Sequence, residues 1–143
     1  MMDVRIIYRR FEKIKANMGM LREAAQASYV QFTGDPVLYY ATERALQVCI
    51  QAIIDICAYL VKESQTRMPE EYRDLAAIMV KMGVIPADME PRLVSMIGMR
   101  NILVHQYLEI DLSIVHRSLQ SDLEDFDRFA RYVEDYLERE GVE

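Results

Sequence analysis

The sequence predicts an all-α protein, an antiparallel helical bundle of four long helices with one or two short ones. Three observations support this prediction. Apolar residues recur at steps of three and four along most of the chain, which is the period of an amphipathic helix. Residues that start and stop helices separate these apolar segments at short intervals. No segment shows the alternation of apolar and polar residues that is typical of a half-buried strand.

The first helix is expected to run to about Thr33 and Gly34. Its apolar stripe is regular enough for one continuous helix. The stripe consists of Ile7, Phe11, Ile14, Met18, Leu21, Ala25, Ser28 and Phe32. Asp35 and Pro36 then start a second helix, because aspartate accepts hydrogen bonds from the first turn and proline fits the first helical position. We expect this second helix to end near Ser64.

The second helix is apolar nearly all round between residues 45 and 61, as a central helix with several neighbours would be. Its exceptions, Gln47, Gln51 and Asp55, form one stripe, with Arg44 one turn earlier. Buried polar groups need partners, so this stripe faces water, contacts polar groups of another helix, or lines a cleft. We favour a structural role for Gln47 and Gln51 and keep Arg44 and Asp55 as candidate groove-lining residues. The same polar residues interrupt the apolar run, so no membrane span is expected.

Three further helices complete the predicted bundle. A shorter third helix is expected from Pro69, with acidic residues in its first turn, to a stop at Gly83. After a linker, an apolar helix runs from Pro91 to about Gln106. Asp111 caps the last helix. The stripe of that helix consists of Leu112, Val115, Leu119, Leu123, Phe126, Ala130, Val133 and Leu137.

Length and composition fit one folded domain that spans residues 1–143. The net charge is −6, and all of it falls in residues 111–143, so it argues only weakly against an anionic substrate. Cys49 and Cys57 lie eight residues apart in one apolar stretch, which suits buried thiols in a reducing cytosol rather than a disulfide or a zinc site. The charged N-terminal segment lacks the apolar core of a signal peptide, so we expect a cytoplasmic protein.

The segment "RNILVHQY" at residues 100–107 concentrates the candidate chemistry of the chain. Arg100, His105 and Tyr107 form the pattern R-x4-H-x-Y, with Asn101 directly after the arginine. Metal-free cleavage of RNA needs a group that titrates near neutral pH to move the 2′-hydroxyl proton, and a fixed cation beside the phosphate. Histidine and arginine suit these roles, and Asn101 is suited to orient His105 or to bind a phosphate oxygen. No P-loop and no cysteine or histidine cluster for a metal is present.

The same residues also suit a structural role. In that alternative Arg100 pairs with an acidic neighbour, His105 hydrogen-bonds at a helix end, and Tyr107 closes the core. Helical geometry separates Arg100 from His105 by about 140° around the axis, so one straight helix cannot aim both along one line. They share a cleft only if the helix loosens, if the arginine reaches around, or if a second copy of the chain completes the site. His116, the only other histidine, is expected on the surface.

On the residues just described, the chain resembles the HEPN superfamily, and specifically the HepT-type toxins. The resemblance rests on "MRNILVHQYLEID" at residues 99–111, on "YYATERALQVCIQAIIDI" at residues 39–56, and on the all-helical pattern. It extends from about Tyr8 to Leu137. It implies a small homodimer of helical bundles in which the R-x4-6-H motifs of two subunits meet. The resemblance also implies that this site cleaves RNA as a metal-independent endoribonuclease and needs no cofactor.

Carried over residue by residue, the resemblance makes Arg100 and His105 the catalytic pair and places Asn101 at the polar position after the arginine. Tyr107 takes the position that a cognate minimal nucleotidyltransferase antitoxin modifies with AMP, in a type VII-like toxin–antitoxin system. The implied partners are RNA, this antitoxin and a second copy of the chain, with no membrane. AMP on Tyr107 would exclude RNA by charge and bulk. The alternative is a non-catalytic helical subunit that binds or regulates a minimal nucleotidyltransferase.

Overall fold

The computed structural model describes residues 2–105 and 110–142. Within these residues the chain forms seven α-helices and no strand, which confirms the predicted all-α class. The helices are α1 (Val4–Ala24), α2 (Tyr29–Thr33), α3 (Pro36–Glu63), α4 (Leu75–Lys81), α5 (Glu90–His105), α6 (Leu112–Ser121) and α7 (Leu123–Arg139). Two short 3-10 turns, Tyr72–Asp74 and Ala87–Met89, precede α4 and α5. The four longest helices are α1, α3, α5 and α7.

Helix α3 is the centre of the bundle. It packs most extensively along α1 and also contacts α4 and α5. It is buried on several sides, since both Ile53 and its neighbour Ile54 are inaccessible to solvent. By length and composition this helix could cross a membrane, with a mean hydropathy of 1.6 in its most apolar window, but 61% of that window is buried inside the protein. Burial at the centre of a bundle accounts for its apolar composition.

Two aspartates that the sequence predicts as helix caps start helices in the structure. The Asp35 carboxylate accepts a hydrogen bond from the Leu38 backbone N–H at 3.2 Å, at the start of α3. Asp111 precedes α6 and accepts from the Ser113 hydroxyl at 2.6 Å and from the Ser113 backbone N–H at 2.9 Å. These two bonds lower the pKa of the Asp111 carboxyl, because they favour its charged form. The bond from the Ser113 backbone N–H also satisfies one of the N–H groups that the start of a helix leaves unpaired.

The prediction of one continuous first helix was wrong. Helix α1 ends at Ala24, and the separate helix α2 begins after Ser28. Ser28 and Gln31 form a capping box, in which the Gln31 N–H donates to the Ser28 hydroxyl at 3.1 Å and the Ser28 N–H donates to the Gln31 side chain at 2.9 Å. A serine that bonds in this way starts a helix rather than continuing one. After the break, Phe32 is fully buried in the core.

Two other helix boundaries also differ from the predictions. The third helix begins at Leu75 rather than Pro69, because no residue from position 69 to 74 is buried, whereas Leu75 is fully buried. The predicted last helix is divided at Asp122 into α6 and α7. The Asp122 carboxylate accepts hydrogen bonds from the hydroxyls of Ser118 and Ser121. Local bonds of this kind compete with the hydrogen bonds of the helical backbone.

Candidate functional site

Helix α5 carries the predicted motif and turns its apolar face into the core. Its buried residues are Leu93, Met96, Ile97, Met99 and Leu103. Because these side chains fix the rotation of α5 in the bundle, they also fix the directions of the polar side chains between them. Arg100 is half-buried, whereas Asn101 and His105 are exposed, and His105 is the last residue of α5 that the structure describes. These three polar side chains of the motif therefore lie outside the apolar face that α5 turns into the core.

The Arg100 guanidinium is held by contacts from two other segments. Its Nε donates to the side-chain oxygen of Gln51, on α3, at 3.1 Å. Its central carbon lies 5.3 Å from the ring centroid of Tyr72, in the 3-10 turn before α4, which is a cation–π contact. On α5 itself, Arg100 Nη1 lies 3.4 Å from Asn101 Oδ1. These contacts engage Nε, Nη1 and one face of the guanidinium.

A chain of hydrogen bonds continues from Arg100 through α3 to α1. The Gln51 side-chain nitrogen donates to Asp55 Oδ1 at 2.8 Å. The Arg10 guanidinium donates from Nε to Asp55 Oδ2 at 2.9 Å, and both partners of this ion pair are about one third exposed. Gln51 thus accepts from one charged group and donates to another, which uses both ends of its amide. The polar stripe of α3 contacts polar groups on two neighbouring helices.

A groove between α1 and α3 lies beside this chain of hydrogen bonds. It has a volume of about 290 Å³ and is open to solvent. Its polar lining residues are Arg10, Lys13, Arg44, Gln47, Gln51 and Asp55. Arg44 and Asp55 both line this groove. We call it the α1–α3 groove.

His105 and Arg100 do not converge within one chain. In the described part of the chain, the hydrogen bonds of Arg100 go to Gln51 and Asn101, and none joins it to His105. The two residues lie about 140° apart around the axis of α5, as the sequence spacing requires for a regular helix. Asn101 is one turn before His105 and faces the same side of the helix. Tyr107, the predicted modification position, lies outside the described residues.

Two parts of this arrangement were not predicted from the sequence. Tyr72 falls in a segment that was expected to be helical, and nothing in the sequence indicates its contact with Arg100. Arg10 and Lys13 are three residues apart on α1, which places them on one polar face of that helix. The sequence does not indicate which helix this face contacts, because its partner residue Asp55 is 45 positions away from Arg10.

His116 is not the surface residue that the sequence predicted. It is half-buried, and its Nε2 lies 2.9 Å from the backbone oxygen of Ala27. Its ring packs against those of Tyr29 and Phe32, with centroid distances of 5.6 and 5.4 Å. The α1–α2 connection and α2 cover this histidine, so it joins α6 to the rest of the bundle.

The described residues contain no group of three or more His, Cys, Asp or Glu side chains that could hold a metal ion. Cys49 and Cys57 are fully buried in α3. Burial raises the pKa of the Cys49 thiol to about 12 and raises that of Cys57 as well. Because the thiolate is the reactive form, these cysteines are poor nucleophiles.

Comparison with known proteins finds relatives in sequence and in fold. A family model described as ribonuclease HepT-like matches residues 14–133. The mRNA nuclease HepT of Shewanella oneidensis is 35% identical over 99 residues, which cover 69% of this chain and 74% of that protein. The tRNA nuclease HepT of Aphanizomenon flos-aquae is 26% identical over 134 residues, 92% of this chain and 90% of that protein. The solved structure of a tri-AMPylated Shewanella oneidensis HEPN toxin in complex with MNT antitoxin matches with a TM-score of 0.81 at 30% identity, over 94% of this chain and 99% of that one.

Proposed function

Because the chain belongs to the HepT-like ribonuclease family, we propose that it is a metal-independent endoribonuclease and the toxin of a type VII-like toxin–antitoxin pair. One observation carries the proposal. Arg100, Asn101 and His105 are all present inside the matched region, and Asn101 and His105 are exposed on α5. Relatives described as an mRNA nuclease and a tRNA nuclease support RNA as the class of substrate.

The reaction needs two proton transfers, one from the attacking 2′-hydroxyl and one to the leaving 5′-oxygen, and one site for developing negative charge. His105 takes the proton of a ribose 2′-hydroxyl while the 2′-oxygen forms a bond to the adjacent phosphorus. The bond from phosphorus to the 5′-oxygen of the next nucleotide breaks, and this oxygen takes up a proton from an imidazolium. The products are a 2′,3′-cyclic phosphate and a free 5′-hydroxyl. The reaction in this form uses no metal ion and no external cofactor.

Arg100 supplies the fixed positive charge. Its Nε is engaged by Gln51 and one of its faces by Tyr72, so the guanidinium is oriented before RNA binds. A guanidinium has five N–H donors, and four of them are on the two terminal nitrogens. These can contact two oxygens of one phosphate at once. A cation that is oriented in advance stabilises the charge of the transition state without having to reorganise.

A second copy of the chain completes the site in this proposal. Arg100 and His105 point to different sides of α5 within one subunit, so a single phosphate cannot contact both along one line. In a two-fold homodimer each subunit meets the same surface of the other, and two arginines and two histidines line one cleft. One histidine then removes the 2′-hydroxyl proton while the other protonates the leaving oxygen.

The antitoxin in this proposal is a minimal nucleotidyltransferase that adds AMP to Tyr107. The S. oneidensis HEPN toxin, tri-AMPylated and bound to an MNT antitoxin, supports this part of the proposal by likeness. The tyrosine oxygen attacks the α-phosphate of ATP, pyrophosphate leaves, and the phenolic proton goes to a base. The anionic phosphodiester that results, seven residues after Arg100, competes with RNA for the arginine. Both partners are expected to act in the cytoplasm.

The experiment is cleavage of a mixed-sequence single-stranded RNA by the purified protein in EDTA. We expect cleavage that leaves 2′,3′-cyclic phosphate ends and is abolished by both Arg100→Ala and His105→Ala. His116→Ala is the matched control, because it removes the other histidine, which packs α6 against α2. This control should lower stability and keep cleavage.

Intact mass separates the two ways in which the wild-type protein can be inactive. Added AMP on Tyr107 would identify a neutralised toxin, which should regain activity when Tyr107→Phe protein is prepared instead. Unmodified protein that cuts no RNA would reject the nuclease and favour the non-catalytic subunit that binds a nucleotidyltransferase.

A further inference from the structure

The α1–α3 groove has the charge of an anion-binding surface on an acidic protein. Arg10, Lys13 and Arg44 are its cations, and Asp55 is its single carboxylate, whereas the whole chain carries a net charge of −6. Arg10 is paired with Asp55 at 2.9 Å. Among the described residues, Lys13 and Arg44 make no such ion pair, and both are exposed. The groove therefore presents two uncompensated positive charges to solvent.

The length of the groove suits a strand rather than a single small anion. Its α3 wall runs from Arg44 to Asp55, which is about 16 Å of helix at 1.5 Å per residue. Stacked nucleotides rise by about 3.4 Å each along one strand. Several consecutive phosphates therefore fit along this wall.

The groove also connects directly to the candidate catalytic arginine. Gln51 lines the groove and accepts the hydrogen bond from Arg100 at 3.1 Å. The same Gln51 donates to Asp55, which pairs with Arg10 on the opposite wall. A strand that lies in the groove thus passes the side chain that holds Arg100.

We propose that the α1–α3 groove binds the phosphate backbone of the RNA strand that flanks the scissile phosphate, with Lys13 and Arg44 as the phosphate-binding residues. This inference rests on the proposed ribonuclease function. Contacts of this kind act through charge and do not read the bases. They bind the strand without specifying its sequence and direct it toward Arg100.

The test measures how salt affects RNA binding when the two charges are removed together. Binding of a short fluorescent single-stranded RNA is followed by anisotropy over a series of KCl concentrations, in a His105→Ala background so that no RNA is cut. The variant is Lys13→Gln with Arg44→Gln. The matched control is Lys81→Gln with Arg131→Gln, which removes one lysine and one arginine that are exposed on α4 and α7, outside the groove.

We expect the groove variant to bind RNA more weakly and its salt dependence to become shallower. The slope of log affinity against log salt concentration should fall by about 1.4, since each phosphate contact on a single strand contributes about 0.7. The control pair should keep the wild-type slope. An unchanged affinity and slope in the groove variant would overturn the proposal. An equal loss in the control pair would also overturn it, because the attraction would then belong to the surface as a whole.

Cleavage by the otherwise wild-type protein is measured in parallel, so that the two proposals can fail separately. If the protein cuts RNA but neither its affinity nor its KM depends on Lys13 and Arg44, the ribonuclease proposal stands and the groove proposal is rejected. Groove-dependent RNA binding without any cleavage supports the groove and rejects the nuclease.

Discussion

Gln51 joins Arg100 to the ion pair between α1 and α3, and its replacement by leucine tests that role. The change leaves Arg100 Nε without its acceptor at 3.1 Å and Asp55 Oδ1 without its donor at 2.8 Å. Hydrogen bonds to charged groups contribute about 1.5–3 kcal/mol when they are well buried. Both bonds are partly exposed here, so about 1 kcal/mol each is a reasonable value. The free energy of unfolding should therefore fall by about 2 kcal/mol.

The effect of Gln51→Leu on catalysis should be a loss of rate at saturating RNA. Arg100 keeps its charge and its contact with Tyr72 but loses the hydrogen bond that orients its guanidinium. A loss of about 1.4 kcal/mol of transition-state stabilisation corresponds to a tenfold lower kcat. KM should change less, because the substrate in its ground state depends less on that orientation than the transition state does.

The assay combines initial rates of RNA cleavage in EDTA with urea unfolding followed by circular dichroism. Gln120→Leu, on α6, is the matched control. It makes the same chemical change and removes the hydrogen bond of 2.8 Å from Gln120 to the Ala25 carbonyl. It should lower stability without lowering kcat. A Gln51→Leu protein that loses stability but cuts RNA at the wild-type rate would show that the contact is only structural. An equal drop in kcat in both variants would point to general destabilisation.

Three further predictions follow from the fold. The pKa of Asp111 is lowered in the folded protein, so its cap stabilises the protein at pH values above the pKa of an unfolded aspartate, about 3.9. This stability is lost as the pH falls through the lower folded value. The Tm difference between wild type and Asp111→Ala should therefore be clear near pH 7 and vanish in strong acid. Gly83→Ala should destabilise the protein by about 1 kcal/mol, because Gly83 has a φ of +78°. Gly19→Ala should stabilise it by a similar amount, because Gly19 lies in α1 with open space around the new methyl group. Urea midpoints that move in the same direction for both variants would contradict this. Cys49 and Cys57 should react with iodoacetamide only after unfolding in urea, and reaction at the rate of free cysteine in the native protein would refute their burial.

The sequence alone was sufficient to predict the class of fold and the identity of its central helix. Apolar periodicity is a local property of a helix, and so are caps such as Asp35 and Asp111, so both can be found without knowledge of the neighbours. The motif at Arg100, Asn101 and His105 is local in the same sense, because its residues lie within two turns of one helix. The prediction that Tyr107 is the modified residue comes from the sequence alone, because Tyr107 lies outside the described residues.

Tertiary structure decided the features that depend on contacts between distant segments. The break before α2 is instead a local feature, since Ser28 and Gln31 have the spacing of a capping box, but the apolar stripe continues across it, so periodicity alone predicts one helix. The bond between Gln51 and Arg100 spans 49 positions, and the pair of Arg10 and Asp55 spans 45. Which helix faces compose the α1–α3 groove depends on how α1, α3 and α5 pack, and packing is set by the shape of the whole core rather than by any one segment.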